Sequence, residues 1–242
     1  MTIIVFGDDH AFHTFRMCAN VKLRALGPYT MRRLGQGGAF KTLEIGMPES
    51  GDTMIYMVGS EDIRRFLFRS TPMKGGDVKT TITALAQGYT EAVRWLTTLF
   101  DFPVRVCIVG VLPPVEPQWD DTASPPYGTL KARCDARKAL NIALSDSCHA
   151  LGVAFVGVPK LYETPDGTLN PCLSDGRGHI AEDHVYHLCE AVERIAGVRL
   201  GHKRPDRLTS LRKRYARIWS VRRGDLASLR QIGTSQQSLS RL

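Results

Sequence analysis

Three short stretches of this 242-residue chain carry side chains that could do chemistry together. Gly7-Asp8-Asp9-His10 sets two carboxylates and an imidazole in succession, with His13 three residues on. Gly59-Ser60-Glu61-Asp62 adds a hydroxyl and two more carboxylates, followed by Arg64 and Arg65. Asp175 and His179 supply a second acid and imidazole in one short loop. An acid that orients an imidazole, which faces a nucleophile, is the arrangement of nucleophilic acyl transfer. Ser60 is the one hydroxyl within these three stretches. Asp9 suits the N-cap of a helix starting near His10. Asp8, Asp9, His10 and His13 are of types that bind divalent ions. Solvent-facing or capping roles explain them more simply, and no metal site or cofactor is expected.

The elements that must position these residues follow from periodicity. Ile3-Ile4-Val5-Phe6, Thr53 to Val58, Pro103 to Leu112 and Val153 to Val158 are short apolar runs that suit strands buried on both faces. Between them lie helical patterns: Phe12, Phe15, Cys18, Ala19 and Leu23; residues 78–100; Thr129 to Leu151; and Ile180 to Ile195. Residues 27–51 are glycine-rich and resist assignment. The Pro113 to Gly128 loop carries five prolines, so it is irregular. Strands alternating with helices of this length imply a parallel sheet, with ligands beyond its carboxyl ends. Gly7-Asp8-Asp9 and Gly59-Ser60-Glu61-Asp62 fall at two such ends. The expected fold class is a three-layer α/β/α, flavodoxin-like sheet of mostly parallel strands, over residues 1–200.

This layout resembles the SGNH (GDSL-like) hydrolases. In that family a first strand runs into Gly-Asp-Ser, often Gly-Asp-Ser-His; here it runs into Gly7-Asp8-Asp9-His10. A glycine follows the next short strand, and Gly27 fits best, with Gly35 second. The Gly-x-Asn-Asp block corresponds to Gly59-Ser60-Glu61-Asp62, continuing to Arg64. The final Asp and His correspond to Asp175 and His179, with one extra residue between them. The resemblance implies catalytic positions at Asp9, Asp175 and His179. It implies an oxyanion site or crevice at Gly27, Gly59, Glu61 and Asp62, and substrate contacts at His10 and Arg64. Two roles are altered: the serine is Asp9 and the oxyanion asparagine is Glu61. An ionised glutamate only accepts hydrogen bonds and would repel an oxyanion. A carboxylate attacking an ester would form a mixed anhydride. Asp9 beside His179 could instead form a buried ion pair. Ordinary serine-esterase chemistry is therefore expected to be lost, leaving a binding or scaffolding protein. The rival reading is an active acyl hydrolase, acting on an ester or a glycan-linked acyl group through a non-standard nucleophile. Gly-Asp-Asp also occurs in RNA-directed polymerases as a magnesium-binding hairpin, but this chain is too short and its strand leads into a helix.

Composition divides the chain. Its formal charge is +8, yet residues 201–242 hold 11 Lys/Arg against only Asp206 and Asp225. The first 200 residues are close to neutral, so the basic character belongs to a tail. Leu208, Leu211, Tyr215, Ile218 and Trp219 recur at helical spacing there, among Arg212, Lys213, Arg214, Arg217, Arg222 and Arg223. A basic amphipathic helix is expected. It could pack on the body, bind nucleic acid, or dock on an anionic membrane surface or acidic protein through residues 203–230. An oligomer or larger assembly would suit such an arm. The N-terminus has no basic leader or long apolar run, so no signal peptide is expected and a cytoplasmic location follows. No stretch approaches the length of a membrane span. The six cysteines form no Cys-x-x-Cys pair and are expected to be reduced and buried.

Overall fold

Alternate side chains of the first strand go to opposite faces of a sheet, and both faces are apolar. In a computed structural model, which describes residues 1–27, 29–69, 77–115 and 126–202, β1 (Ile3–Gly7) is buried along its whole length. Ile4 and Phe6 enter one core, while Ile3 and Val5 enter the other. β2 (Val21–Ala25), β3 (Thr53–Met57), β4 (Arg105–Val109) and β5 (Ala154–Val156) complete a sheet of order β2-β1-β3-β4-β5, every pair parallel. These residues lie within one compact unit, Met1–Lys203.

Helices cover both faces. On one lie α1 (Asp9–Phe15) and α6 (Tyr186–Ala196), which bury Phe15, Leu188 and Val192 against Val5, Ile55 and Val109. On the other lie α4 (Val78–Leu96) and α5 (Leu130–Leu151), with Ile82, Tyr89, Val93, Leu140 and Leu144 packed on Phe6, Tyr56 and Ile108. Asp77 and Thr129 cap these two long helices by accepting from the N–H groups of Thr80 and Ala132. Near the β4 terminus, Asn141 of α5 makes two hydrogen bonds to the Val111 backbone, and the buried Arg137 donates Nε–H to the Val111 carbonyl at 2.9 Å. Arg137 also pairs with Glu163 at 2.5 Å. The α/β/α layers and parallel sheet expected from the sequence are present.

Several local expectations need correction. Leu23 lies on β2, not on the first helix, and Phe12 is 43% exposed. A strand of mixed polarity, Val-Lys-Leu-Arg-Ala, gives little periodic signal at an edge of the sheet. The glycine-rich region forms α2 (Met31–Arg33) and α3 (Phe40–Ile45), joined across a kink at Gln36 and Gly37. The last helix begins at Tyr186, because Ile180 bridges to Ser174 and residues 182–185 form turns, so His184 precedes the helix that holds His187. Five cysteines are buried, but Cys172 is exposed. No helix among the described residues is long and apolar enough to cross a membrane. The basic helix expected from Leu208 to Trp219 lies outside the described residues, as do Arg222 and Arg223.

Candidate functional site

Strand order reverses between β1 and β3, with β2 on one side and β4 and β5 on the other. A crevice beyond the carboxyl ends is expected at such a switch point. β1 delivers Asp8 and Asp9 there, and β3 delivers Gly59, Ser60 and Glu61. Asp8, not Asp9, is the N-cap of α1: its buried carboxylate accepts the His10 N–H at 3.1 Å. The Ser60 hydroxyl donates to the other Asp8 oxygen at 2.6 Å. Burial pushes the Asp8 carboxyl above the ordinary carboxylate range, with the charge of His10 and the Ser60 hydroxyl opposing the shift. Ser60 therefore serves Asp8, and its hydroxyl is not turned to His179.

Asp9 opens α1 at the mouth of the crevice. Its Oδ1 accepts the His10 N–H at 3.0 Å, and its Oδ2 lies 3.3 Å from His179 Nε2. The other ring nitrogen, Nδ1, lies 3.1 Å from Asp175 Oδ2. One imidazole thus stands between two carboxylates. The Asp175–His179 loop is closed by a bridge between Ser174 and Ile180 and by the Asp175 N–H donating to the His179 carbonyl at 3.0 Å. Gly176 and Gly178, at φ of 81° and 103°, take left-handed conformations that let the loop hold its extra residue. Asp175 Oδ1 accepts the N–H groups of Arg177 and His179, which fixes the carboxylate under the ring.

The electrostatics follow from this geometry. The hydrogen bond from His179 holds the Asp9 carboxyl far below its ordinary value, against some desolvation. Burial opposes charge on His179, but the bonds to Asp9 and Asp175 outweigh it and raise its pKa. Desolvation likewise opposes the Asp175 charge, and the backbone and His179 donors overcome it, so its pKa falls. The two carboxylates favour the protonated form of the imidazole between them. It is not the buried ion pair anticipated from the sequence: the Asp9 side chain is 65% exposed, whereas His179 is 14% exposed.

His10 and His13, both on α1, face the same imidazole. The His10 ring centroid is 5.0 Å from that of His179. His13 stacks on His179 at 3.9 Å and 15° from parallel. His13 follows Asp9 by four residues, and that spacing on one helix face was the available signal for its place here. Ligand atoms of His13, Asp175 and His179 lie within 4.8 Å of one another. The stacked rings, however, direct their in-plane lone pairs side by side instead of converging, and both His179 nitrogens face carboxylates. This is the geometry of charge pairing.

The remaining crevice residues divide. Gly59 has φ of 124°, and a Cβ there would lie 2.5 Å from Met31 Cε and 2.7 Å from Val111 Cγ2. Only glycine fits where β3 turns into the helical segment Asp62–Phe66. Glu61 is engaged by Arg64 at 3.5 Å and by Arg65 at 3.1 Å, so an ion-paired carboxylate occupies the position expected to supply an oxyanion donor. Arg64 therefore meets Glu61. Asp62 is not a crevice residue. It is fully buried and accepts the Met31 N–H at 2.7 Å, tying β3's exit to α2. Gly27 ends the turn after β2 at φ of 61°, where Leu26 N–H donates to the Gly7 carbonyl.

No protein-family model matches the chain. No curated protein matches it either. Solved structures do match. A protein from Streptococcus pneumonia assigned as a platelet activating factor aligns with TM-score 0.55 and 13% identity, over 80% of this chain and 82% of that one. An acetyl xylan esterase from Geobacillus stearothermophilus aligns with TM-score 0.52 and 15% identity, over 85% and 97%. A carbohydrate acetylesterase family member from Sinorhizobium meliloti aligns with TM-score 0.49 and 14% identity, over 82% and 100%. The first two matches show that the chain has their α/β fold, which is SGNH-hydrolase-like.

Proposed function

We propose that this is an SGNH-hydrolase-like protein that has given up serine-dependent ester hydrolysis and uses its crevice to bind a ligand. The observation that carries this reading is the Asp9 carboxylate 3.3 Å from His179 Nε2, where the nucleophilic hydroxyl would stand. Two features of acyl transfer are lost together. A carboxylate attack on an ester gives a mixed anhydride, and the oxyanion position holds Glu61, an acceptor. Turnover of short p-nitrophenyl esters should stay at the buffer rate. Turnover that disappears in His179→Ala would refute the proposal.

A basic arm would give such a domain an anionic partner. Residues 201–242 carry all of the excess positive charge, and we assign them an attachment role, with nucleic acid as the partner to test first. Binding of RNA or DNA should weaken steeply with salt and vanish on truncation at residue 201. Equal binding by the truncated body would overturn this assignment.

A further inference from the structure

Loss of acyl chemistry leaves an intact acid–imidazole pair beside an accessible carboxylate. We infer that Asp9, His179 and Asp175 form a carboxylate-nucleophile site that opens the three-membered ring of an epoxide and hydrolyses the resulting ester to a diol. The inference goes beyond ligand binding in the crevice and accepts that serine-type acyl transfer is lost.

The two oxygens of Asp9 have different surroundings. Oδ2 faces His179 Nε2 at 3.3 Å, and Oδ1 accepts the His10 backbone N–H at 3.0 Å. The first contact is longer than the roughly 2.7–2.9 Å usual for a charge-assisted hydrogen bond. The His179 N–H can therefore turn to an oxygen held beside Oδ2. The Asp9 side chain is 65% exposed, so an electrophile can reach it. Attack at a saturated carbon creates no oxyanion, so the acceptor at Glu61 is no obstacle to the first step. Carboxylates are established nucleophiles for covalent catalysis.

The steps balance. An Oδ2 lone pair forms a bond to a ring carbon, and the ring C–O bond breaks with its electron pair passing to oxygen. That oxygen takes the proton from His179 Nε2, leaving a hydroxyalkyl ester of Asp9 and neutral His179. His179 then takes a proton from water as the water oxygen adds to Asp9 Cγ. The oxyanion forms on Oδ1, where the His10 N–H already donates. Collapse breaks the Cγ–Oδ2 bond, the departing alkoxide receives the His179 proton, and the diol leaves. The new Asp9 acid returns its proton to His179. The net reaction consumes one epoxide and one water. The raised pKa of His179 and lowered pKa of Asp9 favour the imidazolium–carboxylate pair at the start of each cycle. An alkyl halide would have no use for that proton, whereas a ring oxygen needs it.

Styrene oxide tests this on the full chain. Wild type should form phenyl-ethanediol above the buffer rate, and Asp9→Asn should lose it. His179→Gln, which lacks both the proton donor of ring opening and the base of ester hydrolysis, should form neither ester nor diol, and wild type quenched within its first turnover should carry the mass of one styrene oxide on the peptide containing Asp9. A single turnover of wild type in heavy-oxygen water should label Asp9 and leave the diol unlabelled. No diol and no Asp9 adduct from folded wild type would overturn the inference. So would diol that carries the heavy oxygen after one turnover. Either failure leaves the loss of esterase activity standing, since that is read separately with p-nitrophenyl esters.

Discussion

The imidazole of His13 lies flat on that of His179, 3.9 Å between centroids, and their surroundings shift the two pKa values in opposite directions. Burial lowers the His13 pKa, and the neighbouring His179 charge lowers it further. His179 is raised because its two carboxylate partners outweigh burial. The linkage signs follow. A depressed histidine binds fewer protons folded than unfolded, so stability rises with pH up to the ordinary value of 6.5. A raised histidine contributes stability that is complete below 6.5 and lost as pH climbs through its folded pKa. Taken alone, the pair contributes most stability near 6.5. In thermal midpoints compared with wild type across pH, the contribution that rises toward 6.5 should be absent from His13→Phe, which keeps the stack, and the contribution lost at higher pH should be absent from His179→Gln. In Asp9→Asn, the His179 resonance should titrate at lower pH than in wild type.

Asp62 carries a second pH dependence. Burial lifts its carboxyl to about 7, against the N–H donors of Met31 and Arg32. The folded state keeps this proton between 3.8 and about 7 while the unfolded chain loses it, so stability should fall across that interval. The full effect is on the order of 4 kcal/mol. The Asp62→Asn substitution keeps an acceptor for the Met31 N–H without a charge to bury. This variant should therefore unfold at higher temperature than wild type at pH about 8 and gain less at pH about 5.

The layers were legible because the sequence alternates apolar strands with amphipathic helices, and Ile3 to Phe6 and Thr53 to Met57 cannot be buried any other way. β2 was less legible, since its Lys22 and Arg24 break the apolar run at a sheet edge. The proximity of Asp9, Asp175 and His179 could be anticipated only from the order of blocks along the chain. Nothing local reveals that a loop 170 residues away meets α1. Contacts that depend on side-chain direction were hidden. Asp62 looked like a crevice residue from its place in Gly59-Ser60-Glu61-Asp62, but the helical turn after β3 points it inward to Met31. The same turn sets Glu61 against Arg64 and Arg65.

Position 59 should tolerate no side chain. Its left-handed φ of 124° disfavours any L residue, and a Cβ would collide with Met31 and Val111. Met31 Cε can swing aside, but the buried Val111 is held by Asn141 through its own backbone. Gly59→Ala should cost about 2 kcal/mol or more in urea unfolding.

Arg137 should matter to stability. Its guanidinium is nearly fully buried and holds both the Val111 carbonyl and Glu163. Methionine would fill much of the space but leave both acceptors without that donor. Lys138, 3.1 Å from Glu163, softens the loss. Arg137→Met should destabilise the domain by about 3 kcal/mol, and Arg137→Met with Glu163→Gln by less, because no excess negative charge is left behind. Equal losses in the single and double variants would show that the ion pair contributes nothing beyond packing.

The two altered positions of the crevice should be coupled. Asp9→Ser restores a hydroxyl next to the Asp175–His179 pair but leaves Glu61 where an oxyanion would develop. Glu61→Asn restores a donor but leaves no serine. Each single variant should remain near background with p-nitrophenyl acetate. The double variant should exceed Asp9→Ser by about 10²-fold, the usual worth of one oxyanion donor. The gain requires that Arg64 and Arg65, released from Glu61, do not draw the new amide away from the crevice. Glu61→Gln in the Asp9→Ser background should therefore give a smaller gain, through a longer, differently directed amide. A double variant no faster than Asp9→Ser would show that the β3 exit no longer aims position 61 at the reacting carbonyl, and that the acyl-transfer geometry was lost in the backbone as well as in the side chains.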